Sequence, residues 1–188
     1  MTSEVGLWNV ANALTVVRLL LIPVFIVCLL AGGTAWRLAA LATFCVASAT
    51  DVLDGRLARS RGLVTDFGKI ADPVADKALT GAALVCLSAL GELPWWVTGV
   101  IMFREIGVTA LRFWVIRRGV IAASRGGKLK TLLQVIAICL YILPPTLSPP
   151  GIVRALFMAA AVVVTLVTGV DYVQQAMRLR RSEPAAGQ

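Results

Sequence analysis

The run Asp51-Val-Leu-Asp54-Gly55-Arg-Leu-Ala58-Arg59, followed after eight residues by Gly68-Lys-Ile-Ala-Asp72-Pro-Val-Ala-Asp76, decides how the rest of the chain is read. It sets four carboxylates at the edges of two long apolar segments. Crossing a bilayer takes roughly 20 mostly apolar residues, and six such runs can be drawn: Leu14–Ala31, Trp36–Leu57, Ile70–Leu90, Trp95–Ile116, Thr131–Leu143 and Ile152–Met177. Gly32-Gly33, Gly91-Glu92-Leu93-Pro94 and the Pro/Ser-rich stretch 144–150 supply turns, and Arg59–Lys69 and Arg117–Lys130 are polar separators.

Composition agrees. Of 188 residues, 59% are apolar and only 15% charged, with a mean hydropathy of +0.85. Soluble domains are nearer 45–50% apolar and 25% charged. Disorder and an ordinary soluble globule are both excluded. The expected architecture is an all-α integral membrane protein with six transmembrane helices. It has an N-terminal interfacial segment (1–13, with Trp8 at headgroup depth), a helical domain (14–177) and a polar tail (178–188).

The net charge of +8 comes from 18 basic and 10 acidic side chains. It implies no nucleic-acid partner, because basic residues also set membrane topology and attract phosphate groups. Arg59, Arg61 and Lys69 fall on one side, with Arg117, Arg118, Arg125, Lys128, Lys130 and the tail's Arg178, Arg180 and Arg181. The other side offers Arg37 and Glu92 among prolines and glycines. Both termini are therefore expected in the cytoplasm. Histidine is absent, which removes histidine bases, Ser-His triads, His-liganded zinc and axial-histidine haem. Cys28, Cys45, Cys86 and Cys139 stand singly in apolar runs and are expected as small core residues.

Ionisable groups inside a membrane segment persist where they work or are paired. On a helix, Asp51 and Asp54 lie about 60° apart, with Gly55 and Ala58 on the same arc. Asp72 and Asp76 share a face at i, i+4. Four carboxylates converging beneath the membrane surface cannot all ionise without cations. A cage for Mg²⁺ or Mn²⁺ serving phosphoryl chemistry, an ion or proton pathway, and structural pairing with Arg56, Arg59 or Lys77 are the three readings. Only the first gives a reason for small residues on the acidic face.

The pattern Asp51-x-x-Asp54-Gly55-x-x-Ala58-Arg59, eight residues, Gly68-x-x-x-Asp72-x-x-x-Asp76 resembles the signature of the CDP-alcohol phosphatidyltransferases at every defined position. The resemblance implies a six-helix fold, a cytoplasm-facing site in a bacterial cytoplasmic membrane, and a homodimer. It implies transfer of a phosphatidyl group from CDP-diacylglycerol to an alcohol, with release of CMP. It also implies two Mg²⁺ or Mn²⁺ ions held by Asp51, Asp54, Asp72 and Asp76, with Asp76 as base toward the attacking hydroxyl. Donor contacts fall on Asp54, Gly55, Ala58, Arg59 and Gly68, the last permitting a close loop approach.

Further motifs resemble the branch whose acceptor is glycerol 3-phosphate. They are Asn9-x-x-Asn12-x-Leu14-Thr15-x-x-Arg18-x-x-x-x-Pro23, Arg104-Glu105-Ile106 with Arg112, and Gly127-Lys128-Leu-Lys130-Thr131 with Gln134. Ala11 departs from that branch, which usually has proline there. A dianionic acceptor needs cations, and Arg112, Lys128, Lys130 and Arg104 are the candidates, with Glu105 a local partner for its neighbours. Arg117, Arg118 and the tail arginines read as topology charge, Asp66 as a solvated loop residue, and Asp171 as interfacial. The alternatives are a phosphatidylinositol-phosphate synthase of the same family and, from a different class, a small ion transporter using the acidic cluster.

Overall fold

The computed structural model describes the backbone of residues 10–61, 66–115 and 125–181, and the side chains of 13–50, 74–75, 77–111 and 127–177. Six helices account for nearly all of it: α1 (Val10–Ala31), α2 (Thr34–Arg61), α3 (Asp66–Ala89), α4 (Trp95–Val115), α5 (Arg125–Ile142) and α6 (Gly151–Arg181). There is no strand among the described residues.

Several helices outrun the apolar segments that announce them. α2 continues to Arg61 rather than stopping at Leu57, α3 starts at Asp66 rather than Ile70, and α5 starts at Arg125 rather than Thr131. Arg59 and Gly68 thus lie on helix, not in a loop, and Asp66 opens α3. α6 carries the tail arginines Arg178, Arg180 and Arg181, and α1 begins at Val10, inside the N-terminal segment. An apolar run marks where side chains are shed from water. The hydrogen-bonded backbone continues past it wherever Arg, Leu and Ala sustain the helix and long cations can reach polar surroundings. Trp8 and residues 182–188 lie outside the described residues.

The chain divides into two compact units. The first holds α1–α3, the turn to Leu93 and the stretch Ile138–Pro149. Gly32 and Gly33, at φ of 71° and 77°, let α1 reverse into α2 within two residues. Such angles disfavour a Cβ. Gly91 does the same after α3 at φ 74°, where the Glu92 amide donates to the Leu87 carbonyl at 3.0 Å. α1 packs along both α2 and α3. Phe25 meets Phe44 with ring centroids 5.7 Å apart, and Ala40 and Ala47 let the helix axes approach. At one end, Arg37 forms an ion pair with Glu92, and its Nη1 donates to the Leu143 carbonyl at 3.3 Å. One guanidinium ties the start of α2, the α3–α4 turn and the end of α5.

The second unit holds Pro94–Ala137 and Pro150–Gln188, and in it α4 packs on α6. Its interior-facing residues recur at helical spacing. They are Val97, Ile101 and Glu105 on α4, Lys130, Gln134 and Ala137 on α5, and Ala161, Thr165 and Thr168 on α6.

The distribution of polarity is inverted relative to a water-soluble bundle. On α1, Thr15 and Arg18 are fully buried while Val16, Leu20, Val24, Val27 and Leu30 are exposed. On α4, Phe103 is 82% exposed and Glu105 only 7%. Exposed apolar stripes of this length are lipid-facing surface, and Trp36, Trp95 and Trp96 are exposed at helix starts, as in an interfacial aromatic belt. Ala13–Ala31 and Gly151–Met177 are each long and apolar enough to cross a bilayer by themselves. This is a membrane protein.

The cysteines divide. Cys28 and Cys86 are buried as expected, but Cys45 is exposed, and its sulfur lies 3.9 Å from that of Cys139. The expectation that all four fill the core fails for Cys45, which lies on an exposed face of α2. Two predictions follow from these contacts. Replacing Glu92 by Gln removes the counter-charge of a buried guanidinium, and denaturation in detergent micelles should show a loss of about 1–3 kcal/mol. A thiol oxidant should join Cys45 to Cys139 within one chain, since disulfide formation needs only a small approach of the sulfurs. Peptide mapping would detect that bond, and Cys28 and Cys86 should remain free.

Candidate active site

Unit one carries the acidic signature. Asp51 and Asp54 sit on α2 with Gly55, Ala58 and Arg59 beyond them, and Gly68, Asp72 and Asp76 sit on α3. The two helices pack against each other, so one helical frame carries every defined position of the motif. The side chains of these eight residues lie outside the described set, as does that of Arg112. Among the described residues no three His, Cys, Asp or Glu side chains gather into a metal-binding group. The donor set at the motif is four hard carboxylates with no histidine, which suits Mg²⁺ or Mn²⁺ rather than a soft metal.

In unit two the structure details a polar cluster on the inner faces of three helices. Glu105 is buried on α4 and accepts from Arg104 Nη1 at 3.1 Å. The ammonium of Lys130, on α5, also donates to Glu105, and both side chains are 9% exposed. Arg104 reaches α6 as well. Its Nε donates to the Thr165 carbonyl at 3.1 Å and its Nη2 to Thr168 Oγ1 at 2.9 Å. A Cβ at Gly169 would stand 3.1 Å from Arg104 Cγ and 3.3 Å from Nε. Glycine is there because the arginine stem lies across that turn of α6. It costs the helix about 1 kcal/mol relative to alanine.

Of the candidate acceptor cations, Lys130 and Arg104 are thus brought together on one carboxylate, while Lys128 is exposed. Gln134, one turn beyond Lys130, is buried, and its Oε1 has no hydrogen-bond partner among the described residues. Arg18 is fully buried, and Asp171 is exposed near the end of α6. Sequence reasoning anticipated Glu105 as a partner of its neighbour. It did not find Thr165, Thr168 and Gly169, although polar and small residues at i, i+3 and i+4 in an apolar helix were the available signal. The Arg37–Glu92 clamp was likewise visible only as two isolated charges.

The helices carry exposed apolar faces, and α2 and α3 carry the paired aspartates of the motif on two packed helices. The comparison with known proteins identifies the family. The sequence profile of the CDP-alcohol phosphatidyltransferase family matches residues 8–167, and the chain belongs to that family. A Mycobacterium tuberculosis protein named "Probable phosphatidylglycerophosphate synthase" is 53% identical over 90% of this chain and 82% of its own length. Proteins named CDP-diacylglycerol–glycerol-3-phosphate 3-phosphatidyltransferase are similar too. The one from Bacillus subtilis is 40% identical over 88% of this chain and 94% of its own. The one from Escherichia coli K12 is 37% identical over 90% and 95%.

The cluster predicts a graded response on α6. Thr168→Val keeps the shape but removes the hydroxyl that receives Arg104, and should cost about 1 kcal/mol of stability in detergent denaturation. Ser at the same position should restore most of it.

Proposed function

We propose that this protein transfers the phosphatidyl group of CDP-diacylglycerol to glycerol 3-phosphate, giving phosphatidylglycerophosphate and CMP. The observation that carries the reading is the complete acidic signature on α2 and α3 in a chain similar along most of its length to relatives named for that reaction. All six helices are read as membrane-spanning. Both termini and the site face the cytoplasm of a bacterial membrane, and the working unit is a homodimer. Residues 1–13 form an interfacial segment, 14–177 the catalytic domain and 178–188 a cytoplasmic tail.

Asp51, Asp54, Asp72 and Asp76 would hold two divalent cations. What bound Mg²⁺ or Mn²⁺ supplies is neutralisation of the diphosphate and stabilisation of the leaving CMP. Gly55 and Ala58 leave the α2 surface open to the nucleotide, Arg59 takes a phosphate or cytidine contact, and Gly68 clears the start of α3. The acceptor hydroxyl oxygen forms a bond to the phosphatidyl phosphorus as the bond from that phosphorus to the CMP oxygen breaks. Asp76 takes the hydroxyl proton, and such a base is typically worth about 10²–10⁴-fold. Arg112, Lys128 and Lys130 supply charge for the acceptor's phosphate, with Arg104 behind Lys130.

The deciding experiment follows CMP release from CDP-diacylglycerol by purified protein in detergent with Mg²⁺, offering glycerol 3-phosphate or inositol 1-phosphate separately. EDTA-sensitive release with glycerol 3-phosphate alone is expected. Release with inositol phosphate alone would move the protein to the other branch of the family. Asp76→Asn should reduce turnover by about 10²-fold or more without unfolding. Lys130→Ala should raise the acceptor KM while leaving the CDP-diacylglycerol KM unchanged.

A further inference from the structure

We infer that Glu105 is a positioning residue for the acceptor phosphate, orienting Lys130 through a relay anchored on α6 by Arg104. The inference rests on the reading of Lys130 as an acceptor ligand and adds how that lysine is held.

A lysine is a point charge on a flexible stem, and about 2 kcal/mol of rotamer entropy opposes fixing it. A carboxylate can fix it, but an isolated Glu–Lys pair is neutral and would cancel the charge a phosphate needs. Here Glu105 is shared. Oε1 accepts from both Arg104 and Lys130, so these three side chains sum to +1. One carboxylate thus orders two cations, and the ammonium is held in place by a group that is itself tied to α6.

The relay is itself anchored. Each nitrogen of the Arg104 guanidinium has a partner: Nε the Thr165 carbonyl, Nη2 the Thr168 hydroxyl, Nη1 Glu105. Thr168 Oγ1 in turn donates to the Val164 carbonyl at 2.7 Å. Gly169 holds the arginine stem against α6. Thr109 Oγ1 donates to the Glu105 carbonyl at 2.7 Å, closing off the backbone beside the carboxylate. Arg104 therefore acts through Glu105, and Lys130 is the member of the cluster that meets the ligand.

A double-mutant cycle on steady-state kinetics tests this, using full-length protein in detergent with CDP-diacylglycerol and glycerol 3-phosphate. Glu105→Gln should raise the glycerol 3-phosphate KM about tenfold, with kcat and the CDP-diacylglycerol KM within about twofold of wild type. Glu105→Gln combined with Lys130→Ala should be no worse than Lys130→Ala alone, because the glutamate acts only through the lysine. A wild-type acceptor KM in Glu105→Gln, or effects that multiply in the double variant, would overturn the inference. If Glu105→Gln does not fold, Gly169→Ala displaces Arg104 while leaving every charge in place. It should raise the acceptor KM roughly threefold, and an unchanged KM there would also overturn the relay. A wild-type acceptor KM in Lys130→Ala itself would instead remove the acceptor reading on which the inference stands.

Discussion

A charge enclosed by apolar helices has no water to fall back on, and that constraint organises this protein. An uncompensated ion at that depth costs at least about 2.5–3.5 kcal/mol. Two buried charges are each met by more than one polar group. Arg37 has Glu92 and the Leu143 carbonyl, and Glu105 has Arg104 and Lys130. These contacts join helices that apolar packing alone would leave free to slide. Lipid offers no hydrophobic gain for pressing two apolar surfaces together, so polar bonds and close small-residue contacts carry the specificity.

The two units use the same device for different ends. In the first, the Arg37 clamp lies at the turns farthest along α2 from the acidic signature. It ties the start of α2 to the turn after α3 and to the end of α5. In the second, the ionic cluster sits within the helices and includes a lysine that the proposed reaction uses. Structural pairing and substrate binding are therefore not rival readings of a buried lysine. Glu105 accepts from Arg104 as well as from Lys130, so the pairing orders the lysine within a shared cluster.

Much of this was legible in the sequence, and for definite reasons. The hydrophobic runs gave six helices, and Gly32-Gly33 and Gly91 gave two of the reversals, since only glycine tolerates positive φ cheaply. The acidic motif has fixed spacing over eight positions, which is why it alone carries the family resemblance. Helix ends were missed at Arg61, Asp66 and Arg125 because hydropathy reports burial, not hydrogen bonding. The Cys45–Cys139 approach and the reach of Arg104 to Thr168 join residues distant along the chain. No local pattern encodes such a pairing.

The central claim is that the carboxylates of α2 and α3 hold divalent metal for the donor's diphosphate. Electron paramagnetic resonance of Mn²⁺ titrated into the detergent-solubilised protein, with and without CMP, tests it without requiring turnover. Saturable Mn²⁺ binding that tightens with CMP and is lost in Asp51→Asn and Asp72→Asn is the predicted result. Binding that is the same in wild type and in both variants, and indifferent to CMP, would contradict it.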